Sequence, residues 1–220
     1  MLKGIDAVIF DMDGTLIDSM WMWKDIDIEF LGARNIEMPD DLQKSIEGFS
    51  ITETAEYFIR TFGFTDTVEE LKTIWNDMAI EAYKTKVKAK PGVIEFLKEL
   101  RKRKIKIGVA TSNSTVLMDV GLEGCGLSEY IDVAFSGCMV PHGKPAPDVY
   151  LETAAALLVD PKKCLCFEDV AKGLEAGKAA GMKCAAIYDE SCLNTKDEMM
   201  VFADYYFNDF TEVLREIEQC

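Results

Sequence analysis

Short apolar runs alternate with helical patterns along most of this chain of 220 residues. Four strong runs and two weaker ones share this texture: residues 5–10, 105–110, 164–167 and 184–187, and residues 131–135 and 204–207. Between them, apolar residues recur at helical spacing, as at Val93, Leu97 and Leu100. Near-continuous apolar strands separated by helices are typical of a parallel sheet covered on both faces. With right-handed crossovers, this predicts an α/β fold with a doubly wound, Rossmann-like core domain.

The interval after the first apolar run breaks the alternation, because about 70 residues follow with helical texture and no convincing strand. Two segments in it, SITE at residues 50–53 and TVEE at residues 67–70, have the spacing of a helix capping box. A structureless connection of this length is improbable. We therefore predict an inserted all-helical cap domain of four helices at residues 16–88, and a core domain formed by residues 1–15 plus 89–220. The insertion would lie over the sheet edge where such folds bind ligands.

Composition restricts the partners and the location. The net charge of −15 repels polyanions, so we expect no binding to nucleic acid or to an anionic membrane surface. No run approaches the roughly 18 apolar residues of a membrane span, and the first residues lack the features of a signal peptide. The seven cysteines are scattered, which favours reduced thiols over a disulfide framework; one redox-active cysteine is the alternative. We expect a cytoplasmic protein that is a monomer or a weak dimer.

An acidic motif directly follows the first apolar run. Asp11 and Asp13 are two residues apart, and side chains at this spacing on an extended segment point the same way. Gly14 then allows the chain to turn sharply. Both carboxylates can therefore face the crevice beyond the strand end, although one such cluster alone also fits an ordinary turn.

The sequence DMDGT at residues 11–15 resembles the first motif of the haloacid dehalogenase superfamily of phosphohydrolases. Three further segments match motifs of that family in the same order: Thr111 after an apolar strand, Lys144 in a Gly-Lys-Pro segment, and the pair Glu168 and Asp169 after another strand. The resemblance covers nearly the whole chain. It implies a Mg²⁺-dependent phosphatase whose partner is a small-molecule phosphate ester.

The resemblance also implies the catalytic roles. The family residue that corresponds to Asp11 is the nucleophile, which implies an aspartyl-phosphate intermediate, and the one that corresponds to Asp13 is the general acid and base. Asp13 would protonate the leaving oxygen and then deprotonate the attacking water. Thr111 and Lys144 complete the implied catalytic set, since they would hold the transferring group and neutralise its charge.

The groups that would hold substrate and metal follow from the same resemblance. The implied substrate-binding residues are Thr111, Ser112, Asn113 and Lys144. Mg²⁺ prefers oxygen ligands, and it would be bound by the carboxylates of Asp11 and Asp169 and by the backbone carbonyl of Asp13. Its charge would let a carboxylate approach an anionic ester. Glu168 would contact the metal only indirectly or through a water molecule, and its role is not decided by the sequence.

Three other positions leave alternatives open. Val170 stands where related enzymes often have a serine, which affects one outer hydrogen bond of the metal site and not the metal itself. His142 is the only histidine, and a loop residue without a catalytic role is the preferred interpretation. The segment at residues 21–23 (Trp-Met-Trp) fits either the interior of the cap or an apolar wall over the leaving group. The second interpretation would favour a less anionic leaving group.

The helical insertion resembles that of phosphoglycolate phosphatases and of β-phosphoglucomutase, so a phosphosugar mutase is the main alternative. The mutase grips a second phosphate with a cap arginine, and Ile51 stands at that position here; its cap histidine falls near Trp23. An isoleucine does not bind phosphate, which favours hydrolysis. A non-catalytic regulatory module is disfavoured by the intact acidic and lysine positions. Asp13 argues against a dehalogenase, because those enzymes need no such acid and no metal.

Overall fold

A computed structural model describes residues 1–218, and these residues form a parallel sheet with helices on both faces. In chain order the strands and α-helices are β1 Ala7–Phe10, β2 Ile17–Asp18, α1 Met20–Gly32, α2 Leu42–Ile46, α3 Ile51–Phe62, α4 Val68–Thr85, β3 Lys88–Ala89, α5 Val93–Lys102, β4 Lys106–Thr111, α6 Thr115–Gly124, β5 Val133–Ser136, α7 Asp148–Ala156, β6 Cys164–Glu168, α8 Ala171–Ala179, β7 Lys183–Ile187, α9 Lys196–Met200, β8 Tyr205–Phe207 and α10 Phe210–Glu218. All six predicted strands are present.

The main sheet has the order β5-β4-β1-β6-β7-β8, with every neighbouring pair parallel. Because the chain passes from β1 to β4 and β5 on one side and then to β6, β7 and β8 on the other, the order reverses beside β1. Two buried clusters cover the faces: α5, α6 and α10 contribute to one, and α7, α8 and α9 to the other. The prediction of a doubly wound α/β core is confirmed. The reversal point beside β1 is where such sheets bind ligands.

Helices α1–α4 lie between β1 and β3 in the chain, as predicted for the insertion. Both predicted capping boxes are present, at the starts of α3 and α4. The interior between these helices is aromatic: the ring centroid of Phe58 lies 6.1 Å from that of Phe30 and 5.1 Å from that of Trp75. Aromatic contacts at these distances add to the stabilisation from burial itself.

The expectation of an insertion without strands is wrong at its two ends. Strands β2 and β3 have two residues each and pair antiparallel, with Ile17 opposite Ala89. This pair brings the entry and the exit of the helical segment together. The exact limits of a cap domain at residues 16 and 88 stay a prediction.

The cysteines within residues 1–218 are free thiols. Cys164 and Cys166 are buried on the same face of β6, as the sequence indicated. The Sγ atom of Cys166 lies 3.0 Å from that of Cys184 on the neighbouring strand. Across this described part of the chain, no helix is both long and apolar enough to cross a membrane.

Candidate active site

The carboxyl ends of β1, β4 and β6 bring the predicted motif segments to one place. Asp11 directly follows β1, Thr111 ends β4 and Glu168 ends β6. The backbone N–H of Asp11 donates to the carbonyl of Phe167 at 2.9 Å, which fixes the strand ends relative to each other. Lys144 arrives from the loop before α7, and its Nζ lies 2.6 Å from Asp11 Oδ1. Segments that are far apart in sequence therefore meet at this edge.

Three buried carboxylates converge here. Asp11, Glu168 and Asp169 each offer one oxygen, and these oxygens lie within 4.8 Å of one another. Lys144 is also buried, and its Nζ donates to Asp11 at 2.6 Å, to Glu168 Oε1 at 2.5 Å and to the carbonyl of Ala110 at 3.0 Å. Lys144 forms ion pairs with two of the three carboxylates, and Asp169 has no ion pair within residues 1–218, so the cluster is short of positive charge. Uncompensated charge is costly where water is excluded.

The pKa values reflect this shortage of positive charge. Burial raises the pKa of Asp11 well above its ordinary value; the charge of Lys144 opposes this effect, and the neighbouring carboxylates add to it. Burial, followed by the charges of Glu168 and Asp189, raises the pKa of Asp169 to about 8. Burial lowers the pKa of Lys144, but the charges of Asp11 and Glu168 outweigh burial, and its pKa is raised. A further cation between the carboxylates would relieve their repulsion.

The acidic cluster fits a hard divalent cation. Glu168 Oε1 accepts hydrogen bonds from Lys144 and, at 2.5 Å, from the Tyr150 hydroxyl. Its Oε2 is buried and has no hydrogen-bond partner within residues 1–218. Asp169 Oδ1 accepts from the Thr15 hydroxyl at 2.9 Å, which orients that carboxylate. Carboxylate oxygens with free acceptor capacity are the ligands that Mg²⁺ and similar ions prefer.

Two glycines keep the space around these carboxylates open. A Cβ atom on Gly14 would lie 2.2 Å from Asp169 Oδ2, and the φ of Gly14 is +79°, a conformation that favours glycine. A Cβ atom on Gly173 would lie 2.1 Å from the carboxyl carbon of Glu168. Any side chain at either position would displace a carboxylate of the cluster.

Asp13 lies outside the acidic cluster, in a different environment. Its Oδ1 accepts from the Ser19 hydroxyl at 2.6 Å and from the Tyr83 hydroxyl, and its Oδ2 accepts from Asn113 Nδ2 at 3.0 Å. Tyr83 Oη also accepts from Trp23 Nε1 at 3.2 Å and from Asn113 Nδ2 at 2.8 Å. Burial and the charge of Asp13 raise the pKa of Tyr83 well above its ordinary value, so this hydroxyl remains a donor. The expected metal contact of the Asp13 backbone carbonyl stays a prediction.

The segment after β4 connects the sheet edge to the insertion. Thr111 Oγ1 accepts from the backbone N–H of Asn113 at 3.0 Å. The Ser112 hydroxyl donates to the carbonyl of Gly48 at 3.3 Å, and the Ser112 carbonyl accepts from the N–H of Ile51 at 3.2 Å. The first turn of α3 is therefore held directly against this segment.

A cavity of about 210 Å³ lies between the strand ends and the inserted helices. The sheet edge contributes the predicted site residues to its lining: Asp11, Asp13, Thr111, Ser112, Asn113, Lys144, Glu168 and Asp169. The insertion contributes a mostly apolar wall: Met20, Trp23, Ile26, Asp27, Gln43, Ile46, Glu47, Gly48, Phe49, Ile51, Thr54 and Trp75. Such a cavity, apolar with a few convergent polar groups, is typical of a small-molecule site.

The residues whose roles the sequence did not decide lie in different parts of the structure. Trp23 and Val170 line the cavity, whereas Trp21 is 41 % exposed and Met22 is buried. His142 lies outside the lining, with its Nδ1 atom 3.0 Å from Asp148 on the surface. Glu168 belongs to the acidic cluster itself, so the cluster contains one carboxylate more than the two predicted as metal ligands.

Sequence reasoning missed several hydroxyl groups and one acidic residue of this region: Thr15, Ser19, Tyr83, Tyr150 and Asp27. Thr15 belongs to the first motif, so its closeness in sequence to Asp11 and Asp13 could have indicated that it lies at the site. Tyr83 is 70 positions from Asp13, and Tyr150 is 18 positions from Glu168. No local pattern marks either tyrosine, because both contacts arise from the packing of helices α4 and α7.

The fold and the cavity define a class of α/β enzymes in which inserted helices cover an acidic, lysine-containing strand edge. A sequence profile described as haloacid dehalogenase-like hydrolase matches residues 8–187, and the chain belongs to this family. The resemblance seen in the sequence is confirmed.

Two relatives and one solved structure illustrate the similarity. The phosphorylated carbohydrates phosphatase of Thermotoga maritima is 31% identical over 179 residues, which are 81% of this chain and 83% of that protein. Hexitol phosphatase B of Escherichia coli K12 is 29% identical over 218 residues, which are 96% of this chain and 95% of that protein. The crystal structure of CbbY from Rhodobacter sphaeroides in complex with phosphate shares the fold, with 22% identity, a TM-score of 0.85 and coverage of 95% and 96%. The chain is a phosphoric monoester hydrolase, as predicted.

Proposed function

We propose that this protein is a Mg²⁺-dependent phosphatase that hydrolyses a small phosphorylated metabolite through an aspartyl-phosphate intermediate on Asp11. The observation that carries the proposal is the buried contact of Asp11 with Lys144 beside two further carboxylates, at the ligand-binding edge of the sheet. The names of the two relatives, which refer to phosphorylated carbohydrates and to a hexitol, support a small phosphate ester as substrate.

The proposed reaction begins with attack of the Asp11 carboxylate on phosphorus. The bond between phosphorus and the ester oxygen breaks, and Asp13 donates a proton to the leaving oxygen. Water then attacks the aspartyl phosphate, Asp13 accepts its proton, and inorganic phosphate leaves. Lys144 neutralises charge on Asp11 and on the phosphoryl oxygens. The Thr111 hydroxyl and the N–H groups after it hold the phosphoryl group in line.

The acidic cluster would hold the metal through Asp11 and Asp169, with Glu168 beside them and the carbonyl of Asp13 completing the set. Bound there, Mg²⁺ supplies positive charge that lets a carboxylate approach an anionic ester. Asp13 accepts three hydrogen bonds as a carboxylate. A carboxylate offers about four acceptor positions, so one position on Oδ2 is left to carry the proton that is transferred to the leaving oxygen.

Hydrolysis is favoured over a mutase reaction by the charges around the cavity. Within the described residues, Lys144 is the only lysine or arginine of the lining, and it already contacts Asp11 and Glu168. A second phosphate would meet the apolar side chain of Ile51 instead of an arginine. We further propose that α1–α4 form a cap domain over the core. The cytoplasmic location and the monomeric or weakly dimeric state remain expectations.

Phosphate release from p-nitrophenyl phosphate tests the proposed function. We expect hydrolysis in the presence of Mg²⁺, loss of activity after EDTA treatment, and recovery when Mg²⁺ is added back, because the carboxylate cluster needs a cation to accept an anionic ester. The Asp11→Asn variant, purified by the same procedure, controls for contaminating phosphatases. Hydrolysis that is insensitive to EDTA would contradict the metal requirement, and isomerisation of a sugar phosphate activated by a bisphosphate would identify a mutase.

Removal of divalent cations is expected to make stability fall as the pH rises. The pKa of Asp169 is raised from 3.8 to about 8 in the folded protein. Between these values the metal-free folded protein keeps a proton that the unfolded chain has lost. The resulting stabilisation is complete below the unfolded pKa and disappears as the pH rises through the folded pKa. In EDTA, we expect the Tm to decrease from about pH 5 to about pH 8.

Mg²⁺ takes the place of this proton, so the increase in Tm on adding Mg²⁺ should be larger at about pH 8 than at about pH 6. Differential scanning calorimetry with EDTA and with Mg²⁺ measures both effects. The Asp169→Asn variant serves as a control, since its profile in EDTA should be flatter. A Mg²⁺-induced increase that is the same at both pH values would argue against a cation bound by these carboxylates.

A further inference from the structure

Tyr83 places a hydroxyl group inside a tightly packed contact between α4 and α6. The side chain is fully buried. Its ring lies against α6, where a Cβ atom on Gly121 would come within 2.8 Å of Tyr83 Cδ1. The ring also meets that of Trp23 edge to face, with centroids 6.2 Å apart. A phenylalanine has the same ring and would make the same contacts, so the hydroxyl needs an explanation of its own.

The hydrogen bonds of this hydroxyl fix the direction of its proton. A tyrosine hydroxyl donates one proton and accepts through its lone pairs. Tyr83 Oη accepts from Trp23 Nε1 at 3.2 Å and from Asn113 Nδ2 at 2.8 Å. Neither of these nitrogens accepts a hydrogen bond, so the Tyr83 proton is left for Asp13 Oδ1, to which it donates.

Asn113 joins the same network from the sheet edge. Its Oδ1 accepts from the backbone N–H of Ser114 at 2.8 Å, which identifies the other end of the amide as the NH₂ group. That NH₂ group donates to Asp13 Oδ2 at 3.0 Å and to Tyr83 Oη. Ser19 also donates to Asp13 Oδ1. Hydrogen bonds therefore hold both carboxyl oxygens of Asp13, and Oδ2 is the oxygen with the free position.

The contacts of Tyr83 restrict what its hydroxyl does. Among the described residues, Tyr83 does not belong to the lining of the cavity, so it does not contact a molecule bound there. Its hydrogen bonds reach Trp23, Asn113 and Asp13, and none of them reaches the acidic cluster. Asp13 does line the cavity. The hydroxyl therefore acts on the reaction through the carboxyl group of Asp13.

We propose that Tyr83 is a positioning residue for acid catalysis: its hydroxyl holds Asp13 Oδ1 in place, so that the proton on Oδ2 is directed to the leaving oxygen of the ester. That proton passes to the leaving oxygen as the bond between phosphorus and oxygen breaks, and Tyr83 keeps its own proton throughout. A helix of the insertion thereby orients a residue of the first motif. This inference rests on the proposed phosphatase function and on the role proposed there for Asp13.

Two esters of similar size separate the acid step from the rest of catalysis. p-Nitrobenzyl phosphate releases an alkanol, which needs a proton as it leaves, whereas p-nitrophenyl phosphate releases a stable phenolate, which does not. With Mg²⁺, we expect Tyr83→Phe to lower kcat/KM at least about tenfold for p-nitrobenzyl phosphate and less than about twofold for p-nitrophenyl phosphate. The comparison uses kcat/KM because this constant covers only the steps up to the aspartyl phosphate. Equal losses for both esters, or no loss for either, would overturn the proposal.

A double variant shows whether Tyr83 acts through Asp13. Asp13→Asn removes the acid itself, so the ratio of its two kcat/KM values, p-nitrobenzyl over p-nitrophenyl phosphate, gives the full effect of losing the proton donor. Adding Tyr83→Phe to Asp13→Asn should change this ratio less than about twofold, because the acid that Tyr83 positions is already absent. A further fall of about tenfold in the double variant would reveal an independent role and contradict the proposal.

Tyr130→Phe is the matched control, because it removes the same group from a half-buried tyrosine outside the cavity lining. Its two kcat/KM values should equal those of the wild type. Tyr83→Phe leaves the donors of Trp23 and Asn113 without their acceptor, so its Tm should fall. The ratio of the two kcat/KM values, measured on one preparation, does not depend on the fraction of protein that is folded.

The same measurements distinguish this inference from the proposed function. If the wild type hydrolysed neither ester, the phosphatase proposal would fall and this inference with it. If Asp13→Asn left the ratio of the two kcat/KM values unchanged, the acid role of Asp13 would be wrong. A reduced ratio in Asp13→Asn together with a wild-type ratio in Tyr83→Phe would overturn the positioning role alone, and the phosphatase proposal would stand.

Discussion

Replacing Asp11 with asparagine is expected to lower kcat by at least about 10³-fold while the fold is retained. The amide has the same shape as the carboxylate but is not a nucleophile for phosphorus, and it also lacks the charge that contacts Lys144 at 2.6 Å. The steady-state kcat with p-nitrophenyl phosphate measures the loss. Acid quenching of the wild-type reaction, followed by mass spectrometry of peptides, should find a phosphoryl group on the peptide that contains residue 11.

Asp148→Asn is the matched control for this substitution, because it changes the same functional group outside the cavity, where Asp148 contacts His142. Its kcat should equal that of the wild type. If Asp11→Asn retained more than a few per cent of the wild-type kcat, on the order of one part in thirty, the covalent mechanism would be wrong.

Lys144→Met is expected to reduce kcat/KM at least about 10²-fold and to destabilise the metal-free protein. Methionine keeps the length and packing of the side chain but leaves the buried carboxylates of Asp11 and Glu168 without their ammonium partner. Removing one member of a buried ion pair costs about 3–5 kcal/mol. Asp11, whose pKa is already raised by burial, can lower this cost by taking up a proton, so the destabilisation should grow with pH and shrink when Mg²⁺ is present.

Urea unfolding in EDTA and in Mg²⁺, at about pH 6 and about pH 8, measures this effect. Lys163→Met is the control: its partner is Asp6, and both side chains are more than half exposed. Exposed ion pairs contribute little to stability. A Lys144→Met protein that is as stable as the wild type in EDTA at the higher pH would show that the ammonium group does not compensate the cluster.

Much of the fold was predictable because its strands carry a strong local signal. Buried parallel strands such as β1 and β6 are almost continuously apolar, and the capping boxes at Ser50 and Thr67 mark helix starts within four residues. Strands β2 and β3 were missed because two residues cannot establish a period of two. The two strands can pair only when helices α1–α4 fold so that the end of the insertion lies beside its beginning.

Most of the candidate site was predictable because its residues lie at strand ends; Lys144, which lies in the loop before α7, was predicted only through the family resemblance. Asp11 and Thr111 could be placed beside each other because carboxyl ends of neighbouring parallel strands share one edge. The orientation of a residue at or just after a strand end depends on the next turn, which is why the role of Glu168 was left undecided and why the hydrogen bonds of Asp13 were not foreseen. Tyr83 and Asp27 belong to helices whose approach to the edge is set by tertiary packing alone.

Tyr83 gives the insertion a consequence beyond substrate selection. It belongs to the last inserted helix, yet its hydroxyl donates to Asp13, which belongs to the first motif of the sheet edge. A chimera made by exchanging the segment between β2 and β3 for that of a relative would replace both the cavity wall and the residue that donates to Asp13. The wall of the cavity and the hydrogen bonding of the proposed acid would therefore be exchanged together.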